Sequence, residues 1–262
     1  MAETSSNSWP EKHADAKLLS VYRRRLRSTI EGVWRNVLDY EHLPWVHGHA
    51  FAAVERLAGG RDWWRARVMV APIKLDKSMT LELVVDRERR RYVTRTLAGV
   101  SAGGYIVTQL HEVDPSTTDI EVEFWAPAES EGMAKIKGQA YLRLYQRLWD
   151  EDEQMIVDML AADHHVAWQP QPGARVQQVG PREGLAGARR LGVVEAERLW
   201  VHDRVCPHMG GPLIGAALDD RGRLRCPWHD YRFELEGGRC DRAALRLACR
   251  PGQRRSDDEI EV

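Results

Sequence analysis

Two short loops in the last quarter of the chain each contain one cysteine and one histidine. The first reads CPH from Cys206 to His208, and the second reads CPWH from Cys226 to His229. The 17 residues between them are enough for a hairpin that brings the loops together. A zinc ribbon is one interpretation, but structural zinc sites usually pair a C-x2-4-C motif with an H-x3-5-H motif. Two sulfide-bridged irons suit the mixed loops better, because both thiolates can hold one iron and both imidazoles the other.

Two further histidines, His42 and His47, lie five residues apart in the N-terminal part of the chain. On an uninterrupted helix they would point about 140° away from each other. Pro44 lies between them, and since proline breaks a helix, we interpret it as the break that lets both imidazoles face one metal. An open iron site of this type also needs one carboxylate.

The carboxylate is expected on a long amphipathic helix predicted over residues 131–161, which contain no proline. Asp152 lies on the apolar stripe of this helix. Two acids off the centre of the stripe remain alternatives as the ligand: Asp150 and Asp158. Two more acids are expected to face away from it: Glu151 and Glu153. Taken singly, an acid on an apolar stripe or a histidine pair near a proline is more often structural, and the structural interpretation of Asp39 is that it simply ends its helix.

Short strand-like runs separated by turn residues precede the long helix and predict an antiparallel meander. The runs are 19–27, 51–57, 63–71, 79–86, 91–98, 104–113 and 118–125. A short helix is expected over 31–39, after the first run. Strand, short helix, sheet and long helix together predict an α+β domain whose last helix closes a ligand cavity against the sheet.

Composition indicates a domain boundary near residues 162–175, where two prolines and a glycine occur. Short β-like pieces follow at 175–179, 189–194 and 198–202 and predict a small all-β domain. The expected organisation is a disordered lead-in over 1–16, an α+β domain over 17–162 and a β domain over 163–262.

The charge balance argues against a nucleic-acid partner. Lys and Arg total 38 against 39 Asp and Glu, so the positive field that drives non-specific nucleic-acid binding is absent. No run approaches the roughly 18 apolar residues of a spanning helix, and the N-terminus lacks a secretory signal pattern. We therefore expect a cytoplasmic protein that binds neither nucleic acid nor membrane.

The segments CPHMGGPL and CPWHDYRF resemble the Rieske [2Fe–2S] signature, Cys-x-His followed by Cys-x2-His. The resemblance covers about residues 165–262 and implies a [2Fe–2S] cluster with four ligands: Cys206, His208, Cys226 and His229. Membrane-complex Rieske proteins carry an extra cysteine beside each loop, whereas Met209 and Trp228 stand near those places here. The chain is therefore similar to the ferredoxin or oxygenase type, and Cys240 and Cys249 are interpreted as free thiols.

The pattern Asp-x2-His-x4-His preceded by Asn resembles the catalytic domain of Rieske non-haem iron oxygenases, whose fold is of the helix-grip or START type. By that resemblance His42, His47 and Asp152 bind a mononuclear Fe(II), and Asn36 and Asp39 belong to the catalytic site. Asp39 would bridge electronically to the Rieske histidine of a neighbouring subunit in a head-to-tail ring, commonly a homotrimer. Family members usually place the Rieske domain first, whereas here the catalytic-like domain precedes it.

These observations lead us to expect the terminal component of a Rieske oxygenase. It would use O2 to hydroxylate, dihydroxylate or dealkylate a small organic substrate, apolar or aromatic in character. No nucleotide-binding glycine loop is evident, so electrons would come from a separate reductase or ferredoxin.

Two other functions stay open from the sequence. One is a Rieske ferredoxin-type electron-transfer or redox-sensing protein fused to a ligand-binding START-like domain without catalytic iron, and the other is a lipid or polyketide carrier with a redox sensor. The basic runs 23–27 and 87–91 are interpreted as solvated strand ends, with a docking patch for an acidic ferredoxin as the alternative.

Overall fold

A computed structural model describes residues 16–71, 77–128, 130–169, 173, 175–177, 191–256 and 259–262. The chain divides into two compact units, Met1–Val157 and Asp158–Val262. The division falls within the last turns of the long helix, a few residues before the boundary expected from composition. The predicted lead-in over 1–16 lies outside the described residues except for Ala16, which begins the first strand.

The first unit is built on a seven-stranded antiparallel sheet in the order β1-β7-β6-β5-β4-β3-β2. Its strands are β1 (Ala16–Leu26), β2 (Phe51–Gly60), β3 (Trp63–Val70), β4 (Ser78–Asp86), β5 (Arg91–Gly99), β6 (Tyr105–Asp114) and β7 (Thr117–Pro127). Each of the seven predicted runs is confirmed as a strand, with ends that differ by a few residues. Strands β2 to β7 form a meander, and β1 crosses over to pair with β7.

Alternation of buried and partly exposed side chains makes these segments strands with one covered face. In β7, every second side chain from Thr118 to Ala126 is buried. The long helix α3 (Glu131–Ala162) packs on this sheet, where Phe124 stacks on Tyr141 with ring centroids 4.9 Å apart. Tyr145, one turn further along α3, meets the same ring edge-on at 4.6 Å.

A cavity of about 490 Å³ lies between α3 and the sheet. Two short helices, α1 (Ile30–Leu38) and α2 (Leu43–Val46), and the 3-10 turn Tyr40–His42 between them also contribute to its wall. A long helix gripping an antiparallel sheet around a cavity confirms the predicted α+β, helix-grip class of this unit.

The second unit contains three small antiparallel sheets, in the orders β13-β10-β9, β14-β15-β8 and β11-β12. The strands are β8 (Arg175–Gln177), β9 (Leu191–Glu195), β10 (Leu199–Asp203), β11 (Leu224–Arg225), β12 (Arg232–Phe233), β13 (Cys249–Pro251), β14 (Gln253–Arg254) and β15 (Glu259–Glu261). Trp168, Val201 and Ile260 form a buried core cluster. The small all-β domain is therefore confirmed, although 178–179 and 189–190 of the predicted strands lie outside the described residues.

Helices long and apolar enough to cross a bilayer are not found in the described part of the chain.

Candidate metal centres

The helical segment that carries the two N-terminal histidines breaks at Asp39. Thr29 caps the start of α1, where its Oγ1 accepts a hydrogen bond from the Gly32 amide at 3.0 Å. The helix ends at Asp39, whose backbone leaves the helical region (φ −88°, ψ 87°) and whose Oδ1 accepts a hydrogen bond from the Glu41 amide at 3.2 Å. Pro44 lies in the first turn of α2. A backbone N–H at that position would have no carbonyl partner within the helix, so proline is tolerated there. The expectation that Pro44 breaks the helix is therefore wrong.

The 3-10 turn and α2 bring both imidazoles to the carboxylate of Asp152 on α3. Nε2 of His42 lies 3.4 Å from Asp152 Oδ1, and Nε2 of His47 lies 3.0 Å from the same oxygen. The three ligand atoms lie within 4.8 Å of one another, and both histidines are buried. Two imidazoles and one carboxylate converging in this way can hold one divalent metal ion and leave further coordination positions open.

The second nitrogen of each imidazole faces another carboxylate. Nδ1 of His42 lies 3.4 Å from Asp39 Oδ2, and Nδ1 of His47 lies 2.7 Å from Glu151 Oε2. Since a carboxylate only accepts, the Nδ1–H of His47 donates to Glu151, and its Nε2 faces Asp152 and the position that a metal would occupy. Arg147 in turn donates from Nε to Glu151 Oε1 at 3.3 Å. Outer carboxylates of this kind orient metal-binding histidines.

The expectation that Glu151 faces away from the site is wrong. Its position on α3 lies off the apolar stripe, but its side chain reaches His47 Nδ1 while neighbouring Asp152 reaches His47 Nε2. Helical spacing predicts the direction of a Cα–Cβ bond, but it does not predict the position of the carboxylate at the end of a flexible glutamate side chain. The sequence signal that could have identified Glu151 is that it directly precedes the candidate ligand Asp152.

Two acids were alternatives to Asp152 as the metal ligand: Asp150 and Asp158. Among the described residues, the group of ligand atoms that converge contains His42, His47 and Asp152 and neither of these acids. Asp150 instead pairs with Arg24 of β1. Glu153 faces away from the cavity, as expected, and pairs with Arg24 and Arg27.

Asn36, at the C-terminal end of α1, supports the same carboxylate. Its Nδ2 donates to Asp152 Oδ1 at 3.0 Å, and the side chain is buried. The sulfur of Met155 lies 3.8 Å from the same nitrogen. Asn36 therefore orients Asp152 from α1, across from α3. It belongs to the site, but its amide is not a strong metal ligand.

Electrostatics within the group favour a shared proton when no metal is bound. Burial lowers the pKa of His42, but the carboxylates of Asp152 and Asp39 outweigh it and raise the pKa to about 10. Burial raises the pKa of Asp152, but hydrogen bonds from His42 and His47 dominate and hold it well below its usual range. A metal ion that binds here must displace the proton.

The converging group opens onto the cavity under α3. Its three residues line the wall together with Asn36 and Asp39. Aromatic rings form much of the remaining wall: Phe51, Trp64, Tyr92, Tyr141, Tyr145 and Trp149. Burial raises the pKa of Tyr145 well above its usual value, so its hydroxyl stays protonated.

The two cysteine–histidine loops of the second unit share one turn geometry. In each loop the cysteine N–H donates to the carbonyl five residues later, and the cysteine carbonyl accepts from the amide four residues later. The residue at that fourth position has a left-handed backbone: φ is 81° at Gly210 and 55° at Asp230. Gly211 leaves room for sulfur, because a Cβ there would lie 2.9 Å from Cys226 Sγ.

The four predicted ligands of these loops lie together. Cys206 and Cys226 are buried. The rings of His208 and His229 lie 4.8 Å apart, nearly perpendicular, with both Nδ1 atoms buried. Cys206 and His229 lower the pKa of the Cys226 thiol against the effect of burial. Two thiols and two imidazoles on adjacent loops fit a [2Fe–2S] cluster with two protein ligands on each iron.

The basic runs 23–27 and 87–91 form ion pairs along the sheet and its turns. The pairs are Arg23–Glu121, Arg24–Glu153, Arg25–Asp119, Arg27–Glu153, Arg87–Asp62, Arg89–Asp86, Arg90–Glu112 and Arg91–Asp86. This pairing favours the interpretation as solvated strand ends over a docking patch. Cys240 and Cys249 are free thiols, as expected.

Comparison with known proteins matches residues 171–248 to the family described as Rieske [2Fe-2S] domain. Over 33 residues the chain is 52% identical to apoptosis-inducing factor 3 of Mus musculus, and equally to that of Homo sapiens. That stretch is 13% of this chain and 5% of each relative, so the chain spans only a small part of their length.

Two solved structures are similar at the level of the backbone. The Zhui aromatase/cyclase from Streptomyces sp. R1128 has a TM-score of 0.45 and 15% identity, over 58% of this chain and 99% of that one. Norcoclaurine synthase from Thalictrum flavum has a TM-score of 0.45 and 12% identity, over 60% of this chain and 98% of that one. By its own topology and the family match, this chain consists of a helix-grip α+β unit followed by a Rieske [2Fe–2S] domain.

Proposed function

We propose that this protein is the terminal component of a Rieske-type oxygenase with a mononuclear Fe(II) in its helix-grip unit. The observation that carries the proposal is the convergence of His42, His47 and Asp152 within 4.8 Å on the wall of a cavity of about 490 Å³. Two imidazoles and a carboxylate are the set typical of iron sites that activate O2. In such an enzyme, iron supplies O2 binding and the cluster supplies single electrons.

The residues around the site would prepare it for one metal. Glu151 accepts a hydrogen bond from Nδ1 of His47 and so would orient Nε2 as a ligand, and the carboxylate of Asp39 lies 3.4 Å from Nδ1 of His42 on the corresponding side. Asn36 holds the carboxylate of Asp152. Asn36, Glu151 and Asp152 lie on helices, and Asp39, His42 and His47 lie at or between the ends of short helices, so regular elements hold the ligands in place.

Asp39 is also our candidate for the entry point of electrons. It contacts His42, lines the cavity wall and is about nine-tenths buried, with 9% of its side chain exposed. We include in the proposal that a Rieske histidine of a neighbouring subunit approaches Asp39 in a homotrimer, and that a separate reductase or ferredoxin reduces the cluster.

The cavity favours an aromatic or otherwise apolar organic substrate. Its aromatic wall would pack on a flat ring system, and the protonated hydroxyl of Tyr145 can donate to a polar group of the substrate. Closure of the cavity by α3 would exclude bulk water from the metal side. The reaction would be hydroxylation or oxidative dealkylation, with O2 as co-substrate.

Iron and acid-labile sulfide per chain test the proposal, measured on anaerobically purified full-length protein. We expect about three irons and two sulfides in the wild type. His42→Ala should retain the Rieske absorption spectrum and fall to about two irons, because one ligand of the mononuclear site is lost. His49→Ala is the matched control, since His49 is a neighbouring imidazole outside the converging group and its variant should keep about three irons. About two irons in the wild type would overturn the proposal.

An electron-transfer or redox-sensing protein without mononuclear iron is the second candidate. One observation favours it: Nε2 of His42 and both nitrogens of His47 already lie 2.7–3.4 Å from the carboxylates of Asp152 and Glu151. This candidate predicts about two irons in wild type and His42→Ala alike, and ligand binding in the cavity that His42→Ala leaves unchanged.

A further inference from the structure

Asp230 stands at a position of the second cluster loop where a glycine would be expected. It corresponds to Gly210 of the first loop by hydrogen-bond pattern and left-handed backbone, with φ of 55°. Residues with a Cβ adopt that conformation less readily than glycine does. The side chain is only 2% exposed. A strained, buried acid next to the cluster ligand His229 requires compensation nearby.

Three arginines provide this compensation. Asp230 Oδ1 lies 2.7 Å from Arg225 Nε, and its Oδ2 lies 2.8 Å from an Arg232 nitrogen and 3.3 Å from an Arg242 nitrogen. Asp230 is therefore a carboxylate at neutral pH.

Arg242 connects this charged group to both histidine ligands. One guanidinium nitrogen donates to the carbonyl oxygen of His229 at 2.9 Å. The guanidinium also lies over the ring of Tyr231, 5.6 Å from its centroid. Tyr231 in turn stacks on His208, with centroids 4.1 Å apart and ring planes 22° apart. The positive charge of Arg242 therefore lies close to His229 and to Tyr231, the residue that stacks on His208.

We propose that Arg242 and Asp230 set the reduction potential of the Rieske cluster in opposite directions. Reduction adds one negative charge to the cluster, so a nearby cation favours the reduced form and a nearby anion favours the oxidised form. Neither residue is a cluster ligand. Both act from beside the ligand His229, Arg242 through a hydrogen bond to its carbonyl oxygen and Asp230 as the next residue in the chain. The inference stands on the Rieske domain alone and does not depend on the mononuclear iron.

Solvent limits the size of the effect. The Arg242 side chain is 44% exposed, so water screens its field more than that of buried Asp230. Nearby, Arg223 pairs with Asp219 and Asp241. The paired residues in this region are therefore four arginines and three aspartates, and each neutral substitution changes their net charge by one.

A redox titration of the full-length protein, followed by the visible spectrum of the cluster, tests the proposal. Arg242→Gln should shift the ratio of reduced to oxidised cluster about threefold toward oxidised at a fixed applied potential. For one electron this corresponds to a midpoint potential about 28 mV lower, at 59 mV per tenfold change. Asp230→Asn should shift the midpoint upward. Arg242→Lys retains the charge and should stay near the wild type.

Arg239→Gln is the matched control, because Arg239 pairs with Glu234 at the surface and should leave the potential unchanged. Shifts of Arg242→Gln and Asp230→Asn in the same direction, or no shift in either, would overturn the proposal. If Asp230→Asn fails to assemble the cluster, the comparison of Arg242→Gln with Arg242→Lys decides: equal potentials would exclude a charge effect.

Discussion

At the scale of single residues, the N-terminal site depends on which nitrogen of each imidazole is free. Asp39 and Glu151 occupy the Nδ1 side of His42 and His47, so both Nε2 atoms point to Asp152. Without these outer carboxylates each ring could rotate or change tautomer, and the three ligand atoms would no longer converge on one metal position.

Removal of Glu151 should therefore weaken metal binding without removing a ligand. We expect Glu151→Ala to lower the affinity for Co²⁺, used as a spectroscopic substitute for Fe²⁺, by about 10- to 100-fold. Glu151→Gln keeps an acceptor for His47 Nδ1–H and should lose less. Titration of the full-length protein with Co²⁺, followed by its visible absorption, measures this.

Asp150→Asn is the control for that titration, since Asp150 precedes Glu151 on α3 but pairs with Arg24. Its affinity should equal that of the wild type. Equal affinities for wild type and Glu151→Ala would show that the contact with His47 has no part in metal binding.

At the scale of elements, the close approach of α3 to β1 sets where the helix lies on the sheet. Gly138 allows this contact, because a Cβ there would lie 2.5 Å from the backbone oxygen of Leu19. Ser20 Oγ also donates to the Gly138 carbonyl at 3.2 Å. The same helix carries Asp152, so its position determines whether the carboxylate reaches the two histidines.

Gly138→Ala should destabilise the protein although alanine favours helix more than glycine does. The gain in helix propensity is at most about 1 kcal/mol, whereas a contact with backbone forces the helix to shift and costs about 1–3 kcal/mol. We expect a lower free energy of unfolding in urea. Gly132→Ala on the same helix is the control, because its Cβ would meet nothing closer than 3.9 Å. A Gly138→Ala variant as stable as Gly132→Ala would refute the close approach.

At the scale of the whole molecule, the two candidate centres draw their ligands from different units. His42, His47 and Asp152 belong to Met1–Val157, and the cysteine–histidine loops belong to Asp158–Val262. Each centre should therefore load with metal on its own.

Cys226→Ser tests this independence. Serine oxygen is a poor ligand for an iron–sulfur cluster, so we expect acid-labile sulfide to fall to near zero while about one iron per chain remains. Iron and sulfide analysis of anaerobically purified protein measures both. Cys240→Ser, a free thiol outside the loops, should keep the full content of both. Loss of the remaining iron together with the sulfide would contradict independent loading.

The amino-acid sequence by itself determined the elements and the local motifs. Alternation along β7, the apolar stripe of α3 and the Cys-x-His and Cys-x2-His spacings are local patterns, because neighbours in the chain produce them. They were enough to predict seven strands, a closing helix and the Rieske domain.

Only the tertiary structure decided how side chains distant in the sequence meet. Glu151 reaches His47 from a face of α3 that helical spacing assigns elsewhere. The arginines around Asp230 come from three separate segments and share one carboxylate. Such contacts depend on flexible side chains and on packing between elements, and neither leaves a periodic signal in the chain.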